Sequence, residues 1–174
     1  NNDACKKISQ LAILGYSMPG AIIAIGMLKL SSSINELIPL ILIGSTFGLI
    51  FSYIVRFFAV AWQPIDSSME KLGENINQAS RTLNVKPSKS LIKINLLILK
   101  KPLLITCMIV FIDIAKELPL TLILRPFNFD TLATLTYDLI NQAQFFQSSI
   151  PSLIIILISV PAILIINKQV NKEI

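Results

Sequence analysis

The chain has 174 residues, of which 53% are hydrophobic and only 14% charged, and its formal net charge is +5. A soluble domain of this length carries more polar surface, so the composition favours a membrane protein. The chain has no histidine, which removes the commonest general base and metal ligand, and its basic residues cluster around apolar segments, which argues against nucleic-acid binding.

Four apolar segments predict membrane helices, because about 20 residues cross the hydrocarbon core of a bilayer. They run from about Ile8 to Leu30, Leu37 to Trp62, Pro102 to Pro119 with a broken continuation to Leu124, and Ile150 to Asn167. The fold class expected for residues 1–174 is therefore all-α, a polytopic bundle of about four transmembrane helices. Pro19 and Pro161 predict kinks, and Gly44 and Gly48 are expected to share one face of the second helix.

The basic residues predict an orientation for these helices. The connection 63–101 carries Lys71, Arg81, Lys86, Lys89, Lys93, Lys100 and Lys101, and the chain ends carry Lys6, Lys7, Lys168 and Lys172. The connections 31–36 and 125–149 contain only Arg125 as a basic residue. Because connections rich in lysine and arginine stay in the cytoplasm, both ends of this chain and the segment 63–101 are predicted to be cytoplasmic.

The cytoplasmic segment 63–101 is predicted to contain short helices. Ser67 to Glu70 has the S-x-x-E form of a capping box, so a helix is expected to start near Ser67. Asn84 is expected to end this helix in the left-handed conformation, and Pro87 is expected to open a second helical segment. An apolar stripe supports the first helix and consists of Met69, Leu72, Ile76, Ala79 and Leu83.

The centre of this segment resembles a known transporter signature. It reads Gln78-Ala79-Ser80-Arg81-Thr82-Leu83-Asn84 and, nine residues later, Ile94-Asn95-Leu96-Leu97. This is similar to the Glu-Ala-Ala-x-x-x-Gly and Ile-x-Leu-Pro motifs of type I ABC importer permeases, with Gln78, Ser80, Asn84 and Leu97 as departures. In that family the loop forms coupling helices that dock on an ATPase subunit. The resemblance implies ATPase-coupling roles for Gln78, Ala79, Ser80, Arg81, Leu83 and Asn84. The alternative is an amphipathic loop lying on anionic lipid.

A second, longer motif resembles the permeases of ferric-iron ABC importers. It runs from Phe111 to Thr134 and includes Asp113-Ile114-Ala115-Lys116-Glu117-Leu118-Pro119 and Leu124-Arg125-Pro126-Phe127-Asn128-Phe129-Asp130-Thr131-Leu132-Ala133-Thr134. The resemblance implies the C-terminal part of a permease, with the other half missing, in a bacterial inner membrane. It also implies a cytoplasmic ATPase subunit and a periplasmic ferric-iron-binding protein as partners, in addition to membrane lipid.

Four charged residues inside the predicted spans are candidates for the translocation path or gate: Arg56, Asp113, Lys116 and Glu117. The last three share one helix face by their spacing. One interpretation is that Lys116 neutralises one or both carboxylates and fixes helix packing, and the other is that the group lines the path; the two are compatible. Arg56 is expected to snorkel to the interface or to reach Asp113. Two carboxylates beside a lysine are a poor metal cage, so no metal site and no cofactor are predicted.

The break at Pro119 and residues 125–134 are expected to be irregular. They would line an outer cavity, where non-helical backbone is tolerated in a membrane protein. Phe127 and Phe129 within it are expected to be buried or to anchor the chain at the interface rather than to stack on a ligand.

The expected function is that of a permease subunit which moves ferric iron with work from a separate ATPase. The chain has no G-x-x-x-x-G-K-[ST] loop to hold ATP phosphates, and no catalytic residues are predicted. The alternatives are a permease of the same type for sulfate, molybdate or thiamine, a passive membrane scaffold and a membrane-embedded enzyme. An enzyme would need a convergent set of reactive side chains near an interface.

Overall fold

A computed structural model of the chain describes the backbone of residues 15–37, 44–82 and 91–170, and their side chains except those of 71–82, 91, 93 and 170. Within these ranges every regular element is a helix. The helices are α1 (Gly20–Leu37), α2 (Thr46–Thr82), α3 (Leu96–Ala115), α4 (Pro119–Leu124), α5 (Leu132–Asn141) and α6 (Phe145–Val170), and a π-helical turn, Leu91–Asn95, leads into α3. The all-α prediction is confirmed for the described part of the chain.

Two of the described helices are long and apolar enough to cross a membrane. These are the Thr46–Glu70 part of α2 and the Phe145–Gln169 part of α6, each 25 residues long. The apolar part of α1 reaches only from Gly20 to Asn35, and α3 carries Lys100, Lys101 and Asp113 within its 20 residues. The predicted bundle of four spans is therefore supported for two helices by length and composition.

The first predicted span is broken at its proline. Residues 15–17 are helical, Met18 and Pro19 are not, and α1 starts anew at Gly20. The break follows from the missing N–H and fixed ring of Pro19. The predicted end at Leu30 is wrong, because α1 continues to Leu37 through residues 31–36, which were expected to form a connection. The expected start near Ile8 lies outside the described residues.

Helix α2 is longer than the sequence suggested. It runs for 37 residues through Pro64 without interruption, so no new helix starts at Ser67 and the capping-box interpretation is wrong. The Ser68 hydroxyl instead donates to the Pro64 carbonyl oxygen at 2.6 Å, within the helix. Gly44 precedes the helix with a φ of +67°, so it does not share a helix face with Gly48. Asn84 and Pro87 lie outside the described residues.

The third predicted helix is broken near Pro119, as expected. Helix α3 ends at Ala115, and α4 restarts with Pro119 as its first residue, where a missing N–H costs little. The irregular segment is shorter than predicted, because α5 begins inside it at Leu132. Thr131 and Thr134 form a reciprocal capping box there, with the Thr131 N–H donating to Thr134 Oγ1 at 2.9 Å.

Helix α6 starts at Phe145, five residues before the predicted start, and continues through Pro151 and Pro161. It packs on α5 and α3. Its buried positions, Ser148 and Pro151, are small, and small residues allow helices to approach closely in a membrane. Most of its larger apolar side chains are exposed, which suits a helix whose outer surface meets lipid.

The core of the described bundle lies where α1, α2 and α4 meet. Ala24 and Met27 from α1, Leu49 from α2, and Leu120 and Leu124 from α4 form a buried cluster. Tyr53 packs against it from α2. This core lies beside Arg56 and Glu117, which follow Tyr53 and precede Leu120 by three positions each.

Candidate functional site

The centre of the candidate site is an ion pair between α2 and the break that precedes α4. Arg56 Nε lies 3.2 Å from Glu117 Oε2, and the two side chains are 17% and 8% exposed. The Nε–H is buried and makes no hydrogen bond with an acceptor in the described part of the chain, so the contact is an ion pair rather than a directed hydrogen bond. Burying either charge alone would be costly, and the pairing offsets that cost.

The broken helix before α1 completes the surroundings of Arg56. Arg56 Nη1 donates to the carbonyl oxygen of Met18 at 3.2 Å. Pro19 interrupts the helix at this point, and Arg56 therefore provides a donor next to the break. A side chain at Gly15 would collide with the Val55 carbonyl oxygen. The broken helix thus lies directly on the backbone of α2.

Gly20 is the residue that leaves room for the ion pair. A Cβ atom at this position would lie 2.5 Å from Glu117 Oε1 and 2.7 Å from Arg56 Nη1. Both distances are well below van der Waals contact, so any larger residue would displace one or both charged groups. The first turn of α1 therefore packs directly against the Arg56–Glu117 pair.

Glu117 also organises the start of α4. The Leu120 N–H donates to Glu117 Oε1 at 3.3 Å, which satisfies one of the free amides of the first turn. The Thr121 hydroxyl donates to the Glu117 carbonyl oxygen at 3.0 Å and also shares a short hydrogen bond with the Tyr53 hydroxyl. Because Tyr53 and Arg56 are both on α2, this helix holds the α3–α4 break through two separate contacts.

Asp113 and Lys116 form a second, separate pair. Lys116 Nζ lies 2.8 Å from Asp113 Oδ1, with the lysine 61% exposed and the carboxylate 14% exposed. Of the two sequence interpretations, the structure places Lys116 on Asp113, while Glu117 pairs with Arg56 instead. Arg56 was expected to snorkel to the interface or to reach Asp113. In the structure its carboxylate partner is Glu117 instead.

This arrangement neutralises each carboxylate with its own cation. Among residues 15–37, 44–82 and 91–170, no group of three or more His, Cys, Asp or Glu side chains could hold a metal ion. The Arg56–Glu117 pair and the Arg56 contact with Met18 bring three backbone segments together. The Asp113–Lys116 pair, by contrast, joins two residues three positions apart at the end of α3.

The predicted coupling residues lie at the far end of α2. The backbone of Gln78, Ala79, Ser80 and Arg81 is helical and continuous with the rest of α2, which ends at Thr82. Leu83 and Asn84 lie outside the described residues. The sequence placed these residues in a separate short helix, whereas the structure joins the described four to the candidate span.

Arg125, which directly follows α4, forms an ion-pair cluster with Asp130 and Asp138 that was not predicted from the sequence. Arg125 Nη2 lies 2.9 Å from Asp138 Oδ2 on α5, and Arg125 Nη1 contacts Asp130. The only sequence signal was that Arg125 is the single basic residue of the connection 125–149, with two acids in it. Phe127, expected to be buried or at an interface, lies in the turn between Arg125 and Asp130 and is fully exposed.

Comparison with known proteins adds no assignment: no protein-family profile, no curated protein and no solved structure matches this chain.

Proposed function

We propose that this chain is a membrane-spanning permease subunit of an ABC importer, and that it moves ferric iron with work from a separate cytoplasmic ATPase. In this proposal the chain forms about four spans of a bacterial inner membrane, with both ends cytoplasmic. A periplasmic ferric-iron-binding protein delivers the cargo, and a second permease half completes the pathway. The two motifs that resemble such permeases and the two candidate spans support the proposal.

The observation that carries this proposal is the continuity of α2. At 1.5 Å per residue its 37 residues extend about 55 Å, and Arg56 and Ala79 are separated by about 35 Å along the axis. One helix therefore joins the predicted ATPase contact to the buried ion pair. A continuous helix can pass on a rigid-body displacement, which is what a permease without a nucleotide site requires.

The contacts of α2 suggest how that displacement would act. Closure of the ATPase dimer would move the end of α2, and Arg56 would carry the movement to Glu117 and to the Met18 carbonyl. Both contacts lie at breaks in the helical backbone, at Met18–Pro19 and between Ala115 and Pro119. Such breaks can absorb backbone rotation that a packed helix resists. The spans would then separate on the outer side and admit cargo.

The decisive experiment places a charge at the predicted ATPase contact. Ala79→Asp should abolish iron uptake and co-purification with the ATPase subunit, while membrane insertion stays normal. Gln63→Asp is the matched control, since it adds the same charge to the same helix at an exposed position and should leave both activities near wild type. Normal uptake by Ala79→Asp would contradict the proposal.

The same assay separates the alternatives. If the wild-type chain co-purifies with the ATPase but imports no iron, the cargo is wrong, and sulfate, molybdate and thiamine are the next substrates to measure. If the wild-type chain binds no ATPase, a passive scaffold is favoured and the importer proposal fails.

A further inference from the structure

An open apolar groove lies along the first half of α3, and its last lining residue, Leu104, is 13 positions before Glu117 in the sequence. Its volume is about 700 Å³, and its lining residues are Ile92, Leu96, Leu97, Lys100, Leu103 and Leu104. Leu97 and Ile92 are 71% and 62% exposed. Apolar side chains with this exposure next to a candidate membrane region require an apolar environment, because their hydration is unfavourable.

The cations at this groove differ from the three that form the ion pairs described above. Arg56, Lys116 and Arg125 each pair with a carboxylate. Lys100 and Lys101 are exposed and have no ion pair with any side chain that the structure describes. Both lysines interrupt a run of apolar residues that extends from Leu96 to Ile112. A cation in such a run is stabilised when an anion or the membrane interface is within its reach.

We propose that this groove binds an anionic phospholipid. The phosphate would lie at the Lys100 ammonium, with Lys101 adding to the positive field, and an acyl chain would lie along the exposed leucines. The combination of an apolar wall and an unpaired cation matches the two parts of such a lipid. Lysines near a membrane surface attract anionic headgroups, and basic pockets beside membrane helices bind them specifically. The π-helical turn before α3 places Ile92 at one end of the groove.

This inference requires the chain to lie in a bilayer, but it does not require transport or an ATPase. A loss of iron uptake therefore leaves it intact, and a loss of lipid binding leaves the importer proposal intact. A protein helix is a less suitable occupant, because the lysine would then need a buried carboxylate partner within an apolar contact.

The test is native mass spectrometry of the whole chain released from nanodiscs of phosphatidylcholine with a minor fraction of phosphatidylglycerol. The wild-type chain should retain phosphatidylglycerol in preference to phosphatidylcholine. Lys100→Gln should lower this retention about fivefold, and Lys100→Arg should restore it. Leu97→Gln should also lower retention, because it removes apolar lining without changing charge. Lys168→Gln is the matched control, since Lys168 is exposed near the end of α6 and does not line the groove.

Three results would overturn the proposal. Equal retention of phosphatidylcholine and phosphatidylglycerol would remove the headgroup preference. Equal losses in Lys100→Gln and Lys168→Gln would show general attraction to an anionic surface. A dimer that Leu97→Gln dissociates, without any change in bound lipid, would identify a second copy of the chain as the occupant.

Discussion

The Glu117 carboxylate and the Arg56 guanidinium lie 3.2 Å apart, although 60 residues separate them in the sequence. The pair joins α2 to the backbone break before α4, and Arg56 also contacts the break before α1. Two interrupted helices therefore meet one continuous helix at a single pair of charges. Both the fold and the proposed transmission of movement depend on this contact.

Removing one member of the pair should be strongly destabilising. Arg56→Gln leaves the Glu117 carboxylate buried without its cation, so the free energy of unfolding in detergent should fall by about 3 kcal/mol. Lys116→Gln is the control: Lys116 is mostly exposed, so losing its pair with Asp113 should cost less than about 1 kcal/mol. The measurement is equilibrium unfolding of each variant. Equal losses in the free energy of unfolding for the two variants would show that the buried Arg56 pair stabilises the fold no more than the exposed Lys116 pair.

Replacing Gly20 should disturb the same pair through space. Gly20→Ala places a methyl group against Glu117 Oε1 and Arg56 Nη1, and the expected cost is about 1–3 kcal/mol. Gly26→Ala is the control in the same helix, because a Cβ atom there meets no atom within 4 Å beyond its own turn of helix in the described part of the chain. That variant should be neutral or more stable by up to about 1 kcal/mol.

A combined variant tests whether the Gly20 effect acts on the charges. In an Arg56→Gln, Glu117→Gln background, Gly20→Ala should cost less than it does alone, because the two effects share a cause. Full additivity would mean that Gly20 acts on something other than the ion pair.

The Arg125 cluster should hold the segment between α4 and α5. Arg125→Gln removes both the Asp130 and the Asp138 contact, and amide hydrogen exchange in residues 127–131 should become faster. The effect on global stability should be small, about 1 kcal/mol, because all three side chains are partly exposed. Asp138→Asn, which leaves Asp130 in place, should give a smaller increase in exchange. Unchanged exchange in Arg125→Gln would show that the cluster does not order this segment.

The stiffness of α2 should matter for coupling under the proposed function. Replacing Glu70 and Lys71 with two glycines weakens the helix by about 1 kcal/mol per residue relative to alanine. These residues lie between the ion pair and the predicted ATPase contact. The glycine variant should therefore bind the ATPase but import less iron per ATP hydrolysed. The variant with two alanines at the same positions should import a normal amount of iron per ATP hydrolysed. Equal values for the two variants would contradict the proposal that α2 transmits the movement of the ATPase.

The breaks at Pro19 and Pro119 were predictable from the sequence, whereas Pro64, Pro102, Pro151 and Pro161 lie inside continuous helices, so a proline alone does not decide where a helix stops. Pro19 and Pro119 lack an N–H and restrict the residue before them, and the structure interrupts the helical backbone at both places. The error at Ser67 also has a local cause. A capping box needs a non-helical residue at the cap, and the same S-x-x-E pattern occurs inside a continuous helix here.

The spacing of charged residues along the sequence could not predict which of them pair across the site. Positions three and four apart identify neighbours on one helix, which correctly brings Lys116 to Asp113. The partner of Glu117 comes from another helix, and its choice depends on how α1, α2 and α4 pack around Ala24 and Leu120. No local pattern contains that information. Gly20 leaves the space that the pair occupies, and a glycine has no side chain whose chemistry would predict that role.

The most direct test of the proposed function is the membrane orientation of two points on the chain. In a background with Cys5 and Cys107 replaced by serine, Lys86→Cys and Phe127→Cys are labelled with an impermeant thiol reagent in intact cells and in inverted vesicles. Phe127 is fully exposed, and residue 86 lies in the segment that follows α2. The importer proposal predicts that the thiol at position 127 is labelled only from outside and the thiol at position 86 only from the cytoplasmic side. Labelling of position 86 from outside, or of both positions from one side, would contradict it.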